Sequence, residues 1–144
     1  MTEGLTDESS FYLPHHAVVR EDKISSRLRI VFDGAAHEEG QYSLNDCLKT
    51  GINLYPNLFE LLIKFRENAV VYIADIRQAF LDISLDTENR RFNRLFLTQH
   101  LNFNKIIVLN FTRVLCGVTP SPYLLAATLK FNFEQYKDLF PETC

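Results

Sequence analysis

The sequence predicts an α+β domain, an antiparallel sheet with helices packed on one face. Three stretches carry that reading. Residues 27–33 (Arg-Leu-Arg-Ile-Val-Phe-Asp) alternate with period two, as a strand does. Leu58, Leu61, Leu62 and Phe65 fall at i, i+3, i+4 and i+7, one apolar stripe of a helix. Residues 70–73 form a β-branched, nearly unbroken apolar run suited to a strand buried on both faces, and the run stops at a single carboxylate, Asp75.

Size and composition bound the rest. A chain of 144 residues with 47% hydrophobic content can bury one sizeable core, so one domain is expected. No apolar run is long enough to cross a bilayer, and the first ten residues are acidic and polar, unlike a signal peptide. A soluble, cytoplasmic protein follows as the expectation. Cys47, Cys116 and Cys144 are odd in number and widely spaced, which fits neither a disulfide framework nor a zinc motif. The net charge of -3 argues against a free-standing nucleic-acid binder, while local clusters such as Arg20, Lys23, Arg27 and Arg29 allow a basic patch.

Taken in order, residues 1–10 read as a disordered lead-in with almost nothing apolar to anchor them. Residues 16–20 and 28–33 read as a hairpin with a longer polar loop. Period two puts Arg27, Arg29, Val31 and Asp33 on one face and Leu28, Ile30 and Phe32 on the other. Two arginines on one strand face make either an anion-binding fork or an ordinary exposed edge. Gly34 to Gln41 is a flexible loop, residues 43–48 a short helical piece, and residues 56–68 the clearest helix, with Pro56 in its first turn. After the central strand, residues 81–86 alternate as a short extended segment and residues 87–93 look helical, capped by Asp86 or Thr87. Residues 95–98 and 105–111 read as two antiparallel strands, and a turn at 115–122 leads into a helix from Pro122 to about Lys137.

Asp75 has two readings. A carboxylate at the tip of a buried strand is held rigidly and still meets solvent, which a metal or catalytic site needs. Its oxygen would equally cap a following helical turn.

Four blocks in this order, the first of them in two pieces, resemble the reverse transcriptase of BEL/Pao-type long-terminal-repeat retrotransposons. Tyr12-Leu13-Pro14-His15-His16-Ala17-Val18-Val19 and residues 27–33 resemble the family's fingers. Leu44-Asn45-Asp46-Cys47-Leu48 with Gly51, Asn53, Leu54 and Pro56 resembles the linker and first palm helix. Ala74-Asp75-Ile76-Arg77-Gln78-Ala79-Phe80 resembles the first catalytic motif, and Gly117 with Ser121-Pro122-Tyr123 the template-side motif. The match runs from about Phe11 nearly to the end of the sequence.

The resemblance implies a partial right-hand polymerase, with fingers at about 11–55 and palm at about 56–144. It implies that Asp75 is a catalytic, metal-binding carboxylate and that the Ile76 carbonyl helps hold the nucleotide-side ion. Two-metal nucleotidyl transfer needs such hard oxygen ligands for Mg²⁺ or Mn²⁺. Phe80 would be the steric gate that rejects a ribose 2'-hydroxyl. Arg29 with Arg27 would grip the triphosphate of a dNTP. Cys116 and Gly117 would line the nucleotide pocket, Gly117 letting backbone approach closely. The implied partners are an RNA or DNA template-primer, dNTP and the rest of a polyprotein: the remaining palm, thumb and RNase H.

The sequence departs from the family at Cys116, where an aromatic residue or glutamine is more usual, and at Pro120, where a small residue is. His15 and His16 match the family and read as structural. The second catalytic motif, an aromatic residue, any residue and two aspartates, is missing, and no Asp-Asp pair occurs anywhere in the sequence. The expectation is therefore a polymerase piece that is inert alone and that exposes apolar faces. Two alternatives stay open: a non-catalytic nucleic-acid-binding or interaction module derived from such a polymerase, and an unrelated metal-dependent phosphotransferase drawing on Asp82 or Asp86.

Overall fold

A computed structural model of the chain describes residues 2–3, 10–21, 28–98 and 106–139. Its architecture is α+β with two antiparallel sheets, where the sequence predicted one. β1 (Thr2–Glu3), β5 (Ile106–Asn110) and β4 (Arg94–Thr98) form the first sheet in the order β1-β5-β4. β4 and β5 pair from Arg94↔Asn110 to Thr98↔Ile106, close to the expected strands. Residues 2 and 3, within the stretch read as a lead-in, pair with Asn110 and Leu109. A strand edge offers main-chain partners that need no apolar side chain.

Residues 11–13 run beside β4. Leu13 N–H donates to the Arg94 carbonyl at 2.7 Å and Arg94 N–H to the Phe11 carbonyl at 3.3 Å. Tyr12 stacks on Phe96 with centroids 4.2 Å apart and planes at 8°. The chain then enters the second sheet, β2 (His15–Val19) paired with β3 (Leu28–Phe32), the predicted hairpin. Opposed residues share a face, so His15/Phe32, Ala17/Ile30 and Val19/Leu28 lie on one side and His16/Val31 and Val18/Arg29 on the other. The root of this ribbon meets the body, where Phe32 packs edge-on against Phe111 at 4.8 Å. Farther out, both faces are exposed.

The core sits where the 11–13 segment, β4, α1 (Leu44–Cys47) and the 111–118 segment converge: Leu13, Leu44, Leu95, Phe111, Leu115 and Val118. Each such buried side chain contributes roughly 1.5–3 kcal/mol. α1 has a closed capping box. Ser43 Oγ accepts from Asp46 N–H at 3.1 Å, and the Asp46 carboxylate accepts from Ser43 N–H at 3.0 Å and from the Ser43 hydroxyl at 2.6 Å. α3 (Ser121–Tyr136) begins with Pro122 in its first turn, where a missing donor costs nothing.

Four expectations need correction. Residues 70–76 form no strand. A strand is a pairing and this run has no partner among the described residues, so its apolar side chains lie open, Tyr72 at 91% and Ile73 at 84% exposure. α2 (Leu58–Glu67) forms where its period predicted, but Leu58, Leu61, Leu62 and Phe65 are all exposed, with nothing among the described residues covering that stripe. Its cap is Asn57, whose side-chain oxygen accepts from Phe59 N–H at 2.9 Å, which leaves Pro56 before the helix rather than in its first turn. Residues 81–86 are not one extended segment. Ala79–Asp82 is a 3-10 turn, and a short antiparallel bridge from Ser84 to Arg113 follows. Among the described residues, no helix is long and apolar enough to cross a membrane.

Candidate functional site

Three segments meet at Gly117, which lies 72 residues from Asn45 in the sequence. Backbone leaving β3, the first turn of α1 and the turn after Leu115 come within backbone contact. A Cβ on Gly34 would lie 2.8 Å from the Gly117 carbonyl oxygen, and one on Gly117 would lie 2.8 Å from that of Phe32. Gly117 has φ +97°, a conformation that L side chains rarely adopt. Two reasons, space and conformation, thus require glycine here.

Asn45 ties the junction. Its Nδ2 donates to the Gly117 carbonyl at 3.2 Å and its Oδ1 accepts from Thr119 N–H at 2.8 Å. Asn45 N–H donates to the Gly34 carbonyl at 2.9 Å. Downstream, the buried Ser121 hydroxyl donates to the Leu115 carbonyl at 2.5 Å and the Tyr55 hydroxyl to the Pro122 carbonyl at 3.0 Å. The linker block and the template-side block of the sequence are therefore in direct contact.

No family model matches this chain, and no curated protein matches it. Every functional assignment therefore rests on the residues and their placement.

The nominated residues are placed as follows. Arg29 is exposed on β3, on the face opposite Phe32. At about 3.3 Å per residue, its Cα lies roughly 10 Å along the strand from Phe32 and so from the edge of the Gly117 junction. Arg27 lies outside the described residues. Cys116 and Cys47 are free, exposed thiols, and Gly117 is exposed on its outer side. Phe80 is half-buried in the 3-10 turn Ala79–Asp82, which lies against α3.

Asp75 and Ile76 are exposed in irregular backbone, and no hydrogen bond among the described residues joins them to the Gly117 junction. The capping alternative for Asp75 does not hold. The turn that follows is capped at Gln78, which takes φ 55° and makes no side-chain cap bond. Asp86 does cap, accepting from Glu88 N–H at 3.4 Å ahead of the 3-10 helix Thr87–Phe92. Among the described residues no three His, Cys, Asp or Glu side chains gather as metal ligands. One carboxylate and one carbonyl are the right kind of donor for Mg²⁺ but too few to form its site by themselves.

Sequence reasoning missed Gly34, Asn45, Ser121 and Tyr55 as junction residues. Gly34 read as a flexible-loop glycine, yet it is buried. Asn45 falls inside a quoted block, but an amide in a short helix carries no signal of a partner 72 residues away.

Proposed function

We propose that this chain is the fingers and first palm segment of an RNA-directed DNA polymerase, contributing nucleotide-binding groups to template-directed transfer of a dNTP onto a primer 3' end. The observation that carries the reading is the convergence at Gly117, because β3, α1 and the Gly117 turn hold three of the four resembling blocks. An exposed arginine on the incoming strand suits a triphosphate, since a guanidinium presents rigid multiple donors to phosphate oxygens. A side-chain-free turn suits close approach of a base pair or sugar. In this reading Arg29 holds the triphosphate and Phe80 lies under the deoxyribose. Asp75 offers one hard oxygen to a divalent ion whose remaining ligands come from substrate and from other polymerase segments.

Titration of the chain with dATP, followed residue by residue through backbone amide NMR signals, tests this. Saturable shifts centred on Arg29, Phe80 and Gly117 are expected, and Arg29→Ala should weaken binding about tenfold, the value of a charge-assisted contact. Primer extension by the purified chain with Mg²⁺ or Mn²⁺ should give no product. The absence of saturable dATP binding would refute the reading. Template-dependent synthesis abolished by Asp75→Asn would refute the expectation of inertness. A second reading, a non-catalytic nucleic-acid module, draws on the exposed Arg29 of β3, a cation open to phosphate. It predicts salt-sensitive binding of an RNA–DNA hybrid with no competition from dATP.

A further inference from the structure

We infer that Asn45 is a positioning residue for the nucleotide site, holding the Gly117 turn in register with β3 through both ends of its side-chain amide. The inference rests on the polymerase reading of that turn.

The geometry leaves one orientation of the amide. Nδ2 faces the Gly117 carbonyl and Oδ1 faces Thr119 N–H. Flipping the group would set oxygen against oxygen and N–H against N–H, so both contacts would become repulsive. A carboxylate could serve Thr119 but has nothing to donate to Gly117. No side chain of another type matches this donor and acceptor pair at the same length. The main chain of Asn45 is anchored in turn by the Gly34 carbonyl, and its own carbonyl accepts from the Thr119 hydroxyl at 3.5 Å.

The turn needs that support. A glycine at φ +97° has lost the wide conformational freedom it holds in an unfolded chain, and nothing in its own side chain fixes it. Asn45 also fills the space that Gly34 leaves. Its Oδ1 and Nδ2 lie 2.9 and 3.0 Å from where a Gly34 Cβ would sit. The exposed outer side of Cys116 and Gly117 is thereby held at a set distance from the strand that carries Arg29. A displacement of about 1 Å in a substrate-positioning element is enough for a large functional loss.

The test compares Asn45→Ala, Asn45→Asp and Ser43→Ala in the full chain, reading melting temperature, hydrogen exchange of the Thr119 amide, and dATP affinity by NMR. Ser43→Ala removes the cap of the same helix and leaves both Asn45 side-chain bonds in place. Asn45→Ala should unprotect the Thr119 amide and weaken dATP binding about tenfold, as the loss of two hydrogen bonds allows. Ser43→Ala should lower the melting temperature while keeping dATP affinity within about twofold, because the Asn45 bonds survive. Asn45→Asp should keep Thr119 protected and still bind dATP weakly, and it carries the test if Asn45→Ala does not fold. Affinity that falls in step with stability across all three variants overturns the inference, as does unchanged affinity in the Asn45 variants. If the wild-type chain binds no dATP, the polymerase reading falls and the inference with it. Wild-type binding that the Asn45 variants leave intact overturns the inference alone.

Discussion

Gly117→Ala separates two effects that the structure superimposes at one residue. The new methyl group would stand 2.8 Å from the Phe32 carbonyl oxygen, closer than real Cβ atoms come, and φ +97° is strained for any L side chain. Two reference substitutions carry one effect each. Gly40 has φ +81° with nothing within 4 Å of its Cβ position, so Gly40→Ala isolates conformational strain, about 1 kcal/mol. Gly34 has no positive φ, but its Cβ would meet the Gly117 carbonyl oxygen at 2.8 Å and the Asn45 side-chain amide at 2.9 and 3.0 Å, so Gly34→Ala carries crowding of the junction without conformational strain, roughly 1–3 kcal/mol as overpacking. Gly117→Ala should cost about the sum, roughly 2–4 kcal/mol, since the oxygen it meets belongs to backbone at the root of β3 and cannot swing aside. Urea denaturation of the four proteins, fitted with a common slope, measures the three losses. The reasoning is refuted if Gly117→Ala costs no more than Gly40→Ala, because the close packing of β3 against the turn would then have no energetic content.

Two further outcomes follow from polar contacts. Arg94 is buried, with Nε donating to Asn110 Oδ1 at 2.8 Å and NH1 to Ser10 Oγ at 2.7 Å, whereas the exposed Arg113 bonds Ser84 Oγ. Arg94→Met should cost about 2–3 kcal/mol in chemical denaturation and Arg113→Met under about 1 kcal/mol, because the first removes a buried guanidinium from two half-buried partners and the second an exposed one; equal losses would refute this. The Asp46 carboxyl is held below its ordinary value of 3.8, first by the Ser43 hydroxyl and then by Ser43 N–H. A lowered folded pKa contributes stability above pH 3.8 that is lost as pH falls through the lower folded value. The melting-temperature gap between wild type and Asp46→Ala should therefore narrow only in that acidic window, and a gap constant down to pH 2 would refute the assignment.

How much was legible in the sequence differs by element. α3, the β2–β3 hairpin and the β4–β5 pair stand close to where period, Pro122 and polar links put them. The helix of residues 58–67 was legible in its period, while its missing packing partner was not. The central strand failed for a related reason. The β-branched run at residues 70–73 states a preference for a strand, but a ladder also needs a neighbour that no local pattern reports. At the candidate site, the resemblance nominated Arg29, Asp75, Phe80 and Gly117; the structure gives Gly117 its close partners, and those partners were not legible.

Local sequence alone thus determined helix periods, caps, turn positions and the alternation that puts Arg29 opposite Phe32, because each depends on residues within a few positions. Only tertiary structure decided that Gly34, Asn45 and Gly117 form one junction, that Arg94 is a buried donor, and that residues 70–76 and the stripe of α2 stay open. Those outcomes depend on which surfaces meet beyond the reach of local pattern, as Asn45 and Gly117 do across 72 residues of chain, or fail to meet. Backbone packed too closely to admit a methyl group at Gly34 or Gly117 records a long-range fit that composition and period do not encode.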